Sequence, residues 1–396
     1  ECRRREQEVF VPLVHPPGEA QADFGHAEVV VDGRKVKAAL FVMTLPFSDA
    51  FFCRLYPREC TETFLDGHRR AFEFFGGVPR RISYDNARTA VTRIIGRRER
   101  ELTREFLRLK AHYLFQEHFC LVRRPNEKGH VENTVGYARR NFLVPVPTVP
   151  DLETLNADLE RLCREDLRRR PESHEGSKAE RLDKERPSLL PLPGRAFEAR
   201  RIAHPRANSL SLVRFDGNDY SVPVSAAHRV VTVVAGAERV KLVADGRVVA
   251  EHRREWDRRK VAFEPVHYLA LLERKPGAFD FARPLADWNL PEPLAVLRRR
   301  LEAETPDGEG TREFVKVLRL LESAPLEELA AAVEKALSFG AADADAVRLV
   351  LEHRREKPVT LFRLDGRPHL SAVQVARPDL AAYRGLMASG AIGGGQ

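Results

Sequence analysis

Three short runs rich in β-branched and aromatic residues lie at 27–31, 36–43 and 50–56. They are separated by Asp32-Gly33 and by Pro46-Phe47-Ser48-Asp49, and turn formers between such runs predict an antiparallel meander. Residues 61–75 then place Phe64, Leu65, Ala71, Phe72, Phe74 and Phe75 at helical spacing before Gly76-Gly77, which predicts an amphipathic helix with a glycine stop. A short strand is expected to end at Ile82-Ser83-Tyr84, a helix to run over 103–117, and a further strand to span 119–123. Pro125 opens a last helix that reaches Phe142.

Strand, strand, strand, helix, strand, helix, strand, helix is the order of an α/β RNase H-like mixed sheet. Prolines at 145, 147 and 150 break the chain, and the charge-dense stretch 164–186 reads as a partly helical linker. Across 200–254 short alternating strands and turns at Asp216-Gly217-Asn218, Ala235-Gly236 and Asp245-Gly246 predict a small β-barrel. Beyond Phe263, leucines and alanines at three- and four-residue spacing predict a helical C-terminal region, whose glycine-rich end, 389–396, is expected to fray. The resulting division is 1–18 connector, 19–145 RNase H-like catalytic core, 146–195 linker, 196–258 barrel and 259–396 helical region.

Composition narrows the partners. Lys and Arg total 66 against 58 acids, a net charge of +8 with pI near 9.3, which suits a polyanionic partner such as DNA. The five cysteines form no CxxC pair and read as free thiols in a reducing compartment; His112, His118 and Cys120 lack the second cysteine pair of a structural zinc site. No apolar run approaches the roughly 20 residues of a membrane helix, so a soluble cytoplasmic, nucleoid-associated protein is expected. The chain opens without methionine in a charged run, as a fragment lacking an upstream segment would.

Three acids carry the candidate chemistry. Asp23 is expected at the entry to the first strand, Asp85 at the carboxyl end of the fourth, and Glu132 in the helix after the fifth. First and fourth strands are neighbours in such a sheet, so the two aspartates converge, and the helix must bring in the glutamate. Val131, Val135, Ala138 and Phe142 form that helix's apolar stripe, with Glu132 about 100° further round. Gly136 in the next turn leaves room for a phosphate, which Arg139 and Arg140 would meet. Converging carboxylates repel one another unless cations lie between them, and two Mg²⁺ ions, with Mn²⁺ as substitute, supply that charge and suit in-line phosphoryl displacement. With 58 acids available, spacing by itself decides little.

The local motifs decide more. Gly18-Glu19-Ala20-Gln21-Ala22-Asp23-Phe24-Gly25, Tyr84-Asp85-Asn86-Ala87-Arg88-Thr89-Ala90-Val91 and Asn126-Glu127-Lys128-Gly129-His130-Val131-Glu132-Asn133 resemble the three signature segments of the IstA-type insertion-sequence transposases, which belong to the integrase-like DDE superfamily. Phe142-Leu143-Val144-Pro145 closes the third, and the likeness is specific over 12–145. It continues more loosely through 214–223, similar to the opening of the family's β-barrel, and the leucine-rich tail from Pro265. The family's N-terminal helix-turn-helix region has no counterpart in this sequence.

The resemblance implies that Asp23, Asp85 and Glu132 bind the catalytic metals. It also implies end cleavage and strand transfer by a multimer on DNA, with a AAA+ helper ATPase of the IstB type as partner. Asn86, Asn126, Lys128, Asn133, Arg139 and Arg140 are the expected DNA contacts, and the pairs Arg80-Arg81, Arg97-Arg98 and Arg123-Arg124 are expected around the site. His26 and His130 adjoin candidate ligands, as polar neighbours or proton carriers. Asp23-Phe24-Gly25 also spells a kinase metal-binding tripeptide, but too little chain precedes it for the rest of a kinase site. Two other readings stay open: an RNase H-like nuclease that cuts without joining, and a catalytically inactive DNA-binding or assembly subunit.

Overall fold

The structure, a computed structural model, describes residues 15–84, 91–94, 100–119, 129–171, 175–305 and 308–355. β1 (Glu19–Val31), β2 (Arg34–Leu45) and β3 (Ala50–Tyr56) form the expected antiparallel meander. β1 starts at Glu19 rather than at 27. Gln21, Asp23 and Gly25 interrupt its apolar alternation, but pairing with two neighbours supplies the hydrogen bonds that keep it extended.

α1 (Thr61–Phe75) has the expected bounds, and Gly76 ends it in the left-handed region at φ 75°. β4 (Arg81–Tyr84) runs parallel to β1, in register Ala22 to Tyr84. A hairpin not foreseen from the sequence follows, β5 (Val91–Ile94) and β6 (Arg100–Leu102). α2 (Arg104–Tyr113) stops sooner than expected because Leu114 turns into the left-handed region at φ 61°, so β7 (Gln116–Phe119) begins earlier and pairs parallel with β4. α3 spans Gly129–Phe142, and β8 (Thr148–Val149) adds to the end of β1. The sheet order is β3-β2-β1-β4-β7, with the first and fourth strands adjacent as anticipated.

Side-chain alternation divides this sheet into two faces. On one, Phe24, Phe41, Phe52, Tyr56 and Tyr84 meet Phe64, His68 and Phe74 of α1 and Phe106 of α2. On the other, Phe51 meets Tyr137 and Phe142 of α3, while Cys53 lies 3.6 Å from Cys163 of α4 (Leu152–Asp166). The stretch expected to be a linker therefore belongs to the core. Leu155, Leu159 and Cys163 are buried at four-residue spacing, and Leu182 of α5 (Lys178–Glu185) joins them. Asn156 bonds both the N–H and the carbonyl of Leu55, satisfying backbone groups of edge strand β3.

The next strands correct the barrel expectation. β9 (Arg201–Ala203), β12 (Thr232–Ala235), β13 (Arg239–Ala244) and β14 (Arg247–Arg253) make one sheet, while β10 (Leu212–Phe215), β11 (Asn218–Ser221) and β15 (Val261–Ala262) make another. Both sheets enclose Val213, Tyr220, Val233 and Leu242, yet no closed barrel forms among the described residues. The β10–β11 hairpin pairs with β15 instead of bridging to the longer strands, which leaves the two sheets separate. Arg254 ties this unit to α1 through a wholly buried bond to Glu62 at 2.9 Å. The last described stretch is helical, as expected: α6 (Leu269–Arg274), α7 (Glu292–Glu304), α8 (Glu309–Arg319), α9 (Leu326–Ser338) and α10 (Ala344–Arg355) share a third core.

Candidate active site

Gln21, Asp23 and Gly25 alternate on the β1 face that α3 covers. Asp23 is half-buried, and its Oδ1 accepts the backbone N–H of Phe24 at 2.8 Å, which orients the carboxylate. The last paired residues of β1 and β4, Ala22 and Tyr84, are each followed in the chain by one of the two predicted aspartates. Asp85, Asn86, Asn126 and Lys128 lie outside the described residues, and for Glu132 the structure describes only its backbone, in the first turns of α3.

α3 buries the predicted stripe, with Val131 3%, Val135 8% and Ala138 0% exposed and Phe142 half-buried. Its seat on β1 is close: a Cβ at Gly25 would stand 2.5 Å from Val135 Cγ1 and 3.3 Å from a terminal nitrogen of Arg139. Only glycine admits that approach, and it brings the Arg139 guanidinium over the strand two residues along from Asp23. One turn earlier the buried Gln21 side-chain oxygen accepts the Val131 N–H at 3.1 Å. The space anticipated at Gly136 adjoins the Arg140 side chain, whose nearest nitrogen would lie 3.1 Å from a Cβ placed there, and Arg139 and Arg140 are exposed.

Asn133 goes to the other flank of α3. There it lines a cleft of about 250 Å³ with Thr44, Asp49, Tyr137, Arg169 and Lys178. Behind them the buried Asp166 carboxylate accepts from Lys178 at 2.6 Å and from the Tyr137 hydroxyl at 2.7 Å, a cluster without a simple sequence signature because its members lie on three helices or their connections.

Beneath the β4 end, His68 is fully buried. Its Nδ1–H donates to the Phe64 carbonyl at 2.7 Å, which leaves Nε2 to accept the Tyr84 hydroxyl at 2.9 Å. Burial pushes the imidazole down to about 4, against the smaller upward pull of the Phe64 bond. His68 was not singled out from sequence, where a lone histidine on an apolar helix face gives no signal. His26 is exposed, and the side chain of His130 is not described. His112 bonds the Arg195 carbonyl at 3.0 Å. Arg80 donates to the Ser188 carbonyl and Arg81 pairs with Glu19, so this basic pair braces the start of β4, away from Asp23. Among the described residues no three His, Cys, Asp or Glu side chains converge. None of the described helices is long and apolar enough to cross a membrane.

The comparisons with known proteins bear on this arrangement. The family described as "Integrase core domain" matches residues 14–125, and "Mu transposase, C-terminal domain" matches 192–264. A "Transposase" of Aminobacter aminovorans is 36% identical over 338 residues, covering 84% of this chain and 65% of its own length. The "Transposase for insertion sequences IS1326/IS1353" of Pseudomonas aeruginosa is 33% identical over 358 residues, 88% of this chain and 69% of the relative. The "Transposase for insertion sequence element IS21" of the same species is 29% identical over 244 residues, 60% and 61% of the two chains. This chain thus spans about two thirds of the length of the relatives it matches.

Proposed function

The chain belongs to the insertion-sequence transposases that carry an integrase core domain, and we propose that it performs metal-dependent end cleavage and strand transfer on DNA. In this reading the mixed sheet is an RNase H-like core, and Asp23, Asp85 and Glu132 hold two Mg²⁺ ions, with Mn²⁺ as a substitute. The donor set fits: carboxylate oxygens are the hard ligands Mg²⁺ prefers, and Asp23 is only half-buried. When bound, such ions supply activation of an attacking oxygen and stabilisation of the leaving one.

The chain's own residues supply the rest. Phe24 N–H fixes one Asp23 oxygen and leaves the carboxylate oriented. Arg139, held over β1 beside Gly25, is placed to meet a phosphate of the bound strand, and Arg140 extends that charge along the exposed side of α3. Asn86, Asn126, Lys128 and Asn133 are the further candidate contacts. Water, and then the freed 3′-hydroxyl, are the successive nucleophiles, so no covalent enzyme intermediate is required. A multimer bridging two DNA ends, a AAA+ helper ATPase of the IstB type and a nucleoid location in a bacterial cytoplasm complete the proposal.

The observation that supports this reading best is the docking of α3 along β1, which brings the chain positions of Asp23 and Glu132 to one region of the sheet. The test is joining of labelled element-end oligonucleotides to target DNA in Mg²⁺ or Mn²⁺. Wild type is expected to cut and join, and Asp85→Asn to do neither. Unchanged cutting and joining by Asp85→Asn would remove the catalytic assignment; cutting without joining by wild type would favour the nuclease reading.

A further inference from the structure

A glutamine buried between a strand and a helix needs a reason. Gln21 is 5% exposed on the inner face of β1, where leucine or methionine would bury as much apolar surface without desolvating an amide. Its partner supplies the reason. The first backbone N–H groups of a helix have no acceptor within the helix, and the N–H of Val131, third residue of α3, is one of them. Val131 is itself 3% exposed, so water does not serve this N–H, and the Gln21 oxygen, 110 residues away in the chain, does. An unsatisfied buried N–H would cost the first turn its reason to stay helical.

The position of this bond matters more than its strength. On β1, Gln21 and Gly25 bracket Asp23; on α3, their partners Val131 and Val135 bracket Glu132. The Gly25 contact is a hard stop that sets how near the helix comes. The Gln21 bond is directional, and sets how far the first turn slides along the strand or opens from it. We infer that Gln21 is a positioning residue that fixes the register between the strand carrying Asp23 and the helical turn carrying Glu132. The inference rests on the reading above, in which those two acids share metal ions. Mg²⁺ and Mn²⁺ demand oxygen ligands at closely defined distances, so a helix turn free to shift weakens binding although every ligand is still present.

The test uses the full chain and three variants. Gln21→Met fills the space without an acceptor, Gln21→Asn keeps an amide one methylene short of Val131, and Gln21→Glu keeps an acceptor at full reach. Mn²⁺ affinity is measured directly, from the loss of the free-ion electron paramagnetic resonance signal, alongside hydrogen exchange of the helix over 129–142. Gln21→Met is expected to bind Mn²⁺ about tenfold more weakly, the size typical when a residue orienting a metal ligand is lost. Exchange at the first turn of α3 should quicken while the last turn stays protected, and Gln21→Glu should remain within about twofold of wild type in affinity. Gln21→Asn gives the same readout if Gln21→Met does not fold. A folded Gln21→Met or Gln21→Asn that binds Mn²⁺ as wild type does overturns the inference. Asp23→Asn is the control: if it too binds Mn²⁺ normally, the fault lies in the metal-site reading and not in Gln21.

Discussion

The two faces of the central sheet use a closely seated helix to different ends. Toward α1 the strands present aromatic rings: Phe24 touches Phe41, Tyr56 and Phe64, and each of those rings has other neighbours. Toward α3 the same strand presents Gln21, Asp23 and Gly25, a hydrogen-bond acceptor, a carboxylate and a gap. Each helix is admitted by one glycine, Gly67 against the Phe41 ring and Gly25 against Val135. The aromatic face shares its contacts among many residues, so no single atom sets the position of α1. On the α3 face single atoms set position, which suits a site where position is the function.

The sharpest break of this comparison is Asp23→Asn. Asparagine is isosteric and its side-chain oxygen still accepts the Phe24 N–H, so melting temperature should stay within about 2 °C of wild type. If Asp23 holds metal as proposed, loss of its charge should cut DNA joining about a thousandfold, about 4 kcal/mol in the barrier. A joining assay and a thermal melt on the same preparation check both halves, and a variant that joins DNA normally sinks the assignment.

The aromatic face should answer to pH instead. His68 must shed its proton to be buried, and its value falls from 6.5 in the unfolded chain to about 4 in the fold. Above pH 6.5 both states are neutral and this group's full contribution is present. As pH falls from 6.5 to 4 the unfolded chain takes up a proton that the folded chain refuses, so stability drops by about 3 kcal/mol, and below pH 4 this group costs nothing further. Urea unfolding at pH 7, 5.5 and 4 should show that slope in wild type and lose about one proton of it in His68→Gln. Equal slopes in the two proteins would show that His68 is not held neutral.

What the sequence revealed follows the same division. β3 and α1 had the expected bounds because their apolar patterns run unbroken into turn residues. The first half of β1 was hidden by Gln21, Asp23 and Gly25, which interrupt the apolar pattern on the side of the strand that α3 covers. α4 was obscured differently: Leu155, Leu159 and Cys163 lie one turn apart among charges, and a dense charge run reads as linker until a partner surface exists. Strands across 200–254 were legible from local alternation and turns, whereas whether they close into a barrel depends on which distant edges meet. The three acids stand out in the sequence as local motifs, and their role remains part of the proposal. The Gln21 bond to Val131 does not stand out, since nothing in either segment names the other.

The two glycines offer an intermediate test. A methyl at Gly25 would meet Val135, and one at Gly67 would meet the Phe41 ring at 2.7 Å, so each substitution to alanine should cost about 1–3 kcal/mol through overpacking. At Gly67 the better helix propensity of alanine offsets about 1 kcal/mol of that. The division between faces predicts that Gly25→Ala also impairs joining and that Val135→Ala restores both, while Gly67→Ala leaves joining by the folded protein intact. Equal effects of the two substitutions on joining would mean that the faces are not separable.

The smallest effect is the most exacting. Phe24 is next to Asp23 in the chain but points to the opposite face, and only its backbone N–H serves the carboxylate. Leucine would keep that N–H and much of the apolar burial while giving up the edge contacts to Phe41 and Tyr56, so Phe24→Leu should cost about 1 kcal/mol of stability. Joining should stay within about twofold once the rate is normalised to folded protein, because alternation along β1 keeps a side-chain change on one face from moving an atom on the other. A tenfold fall in joining at full folding would mean that the aromatic face also tunes the carboxylate, and that stability and chemistry in this sheet are not divided by the pleat.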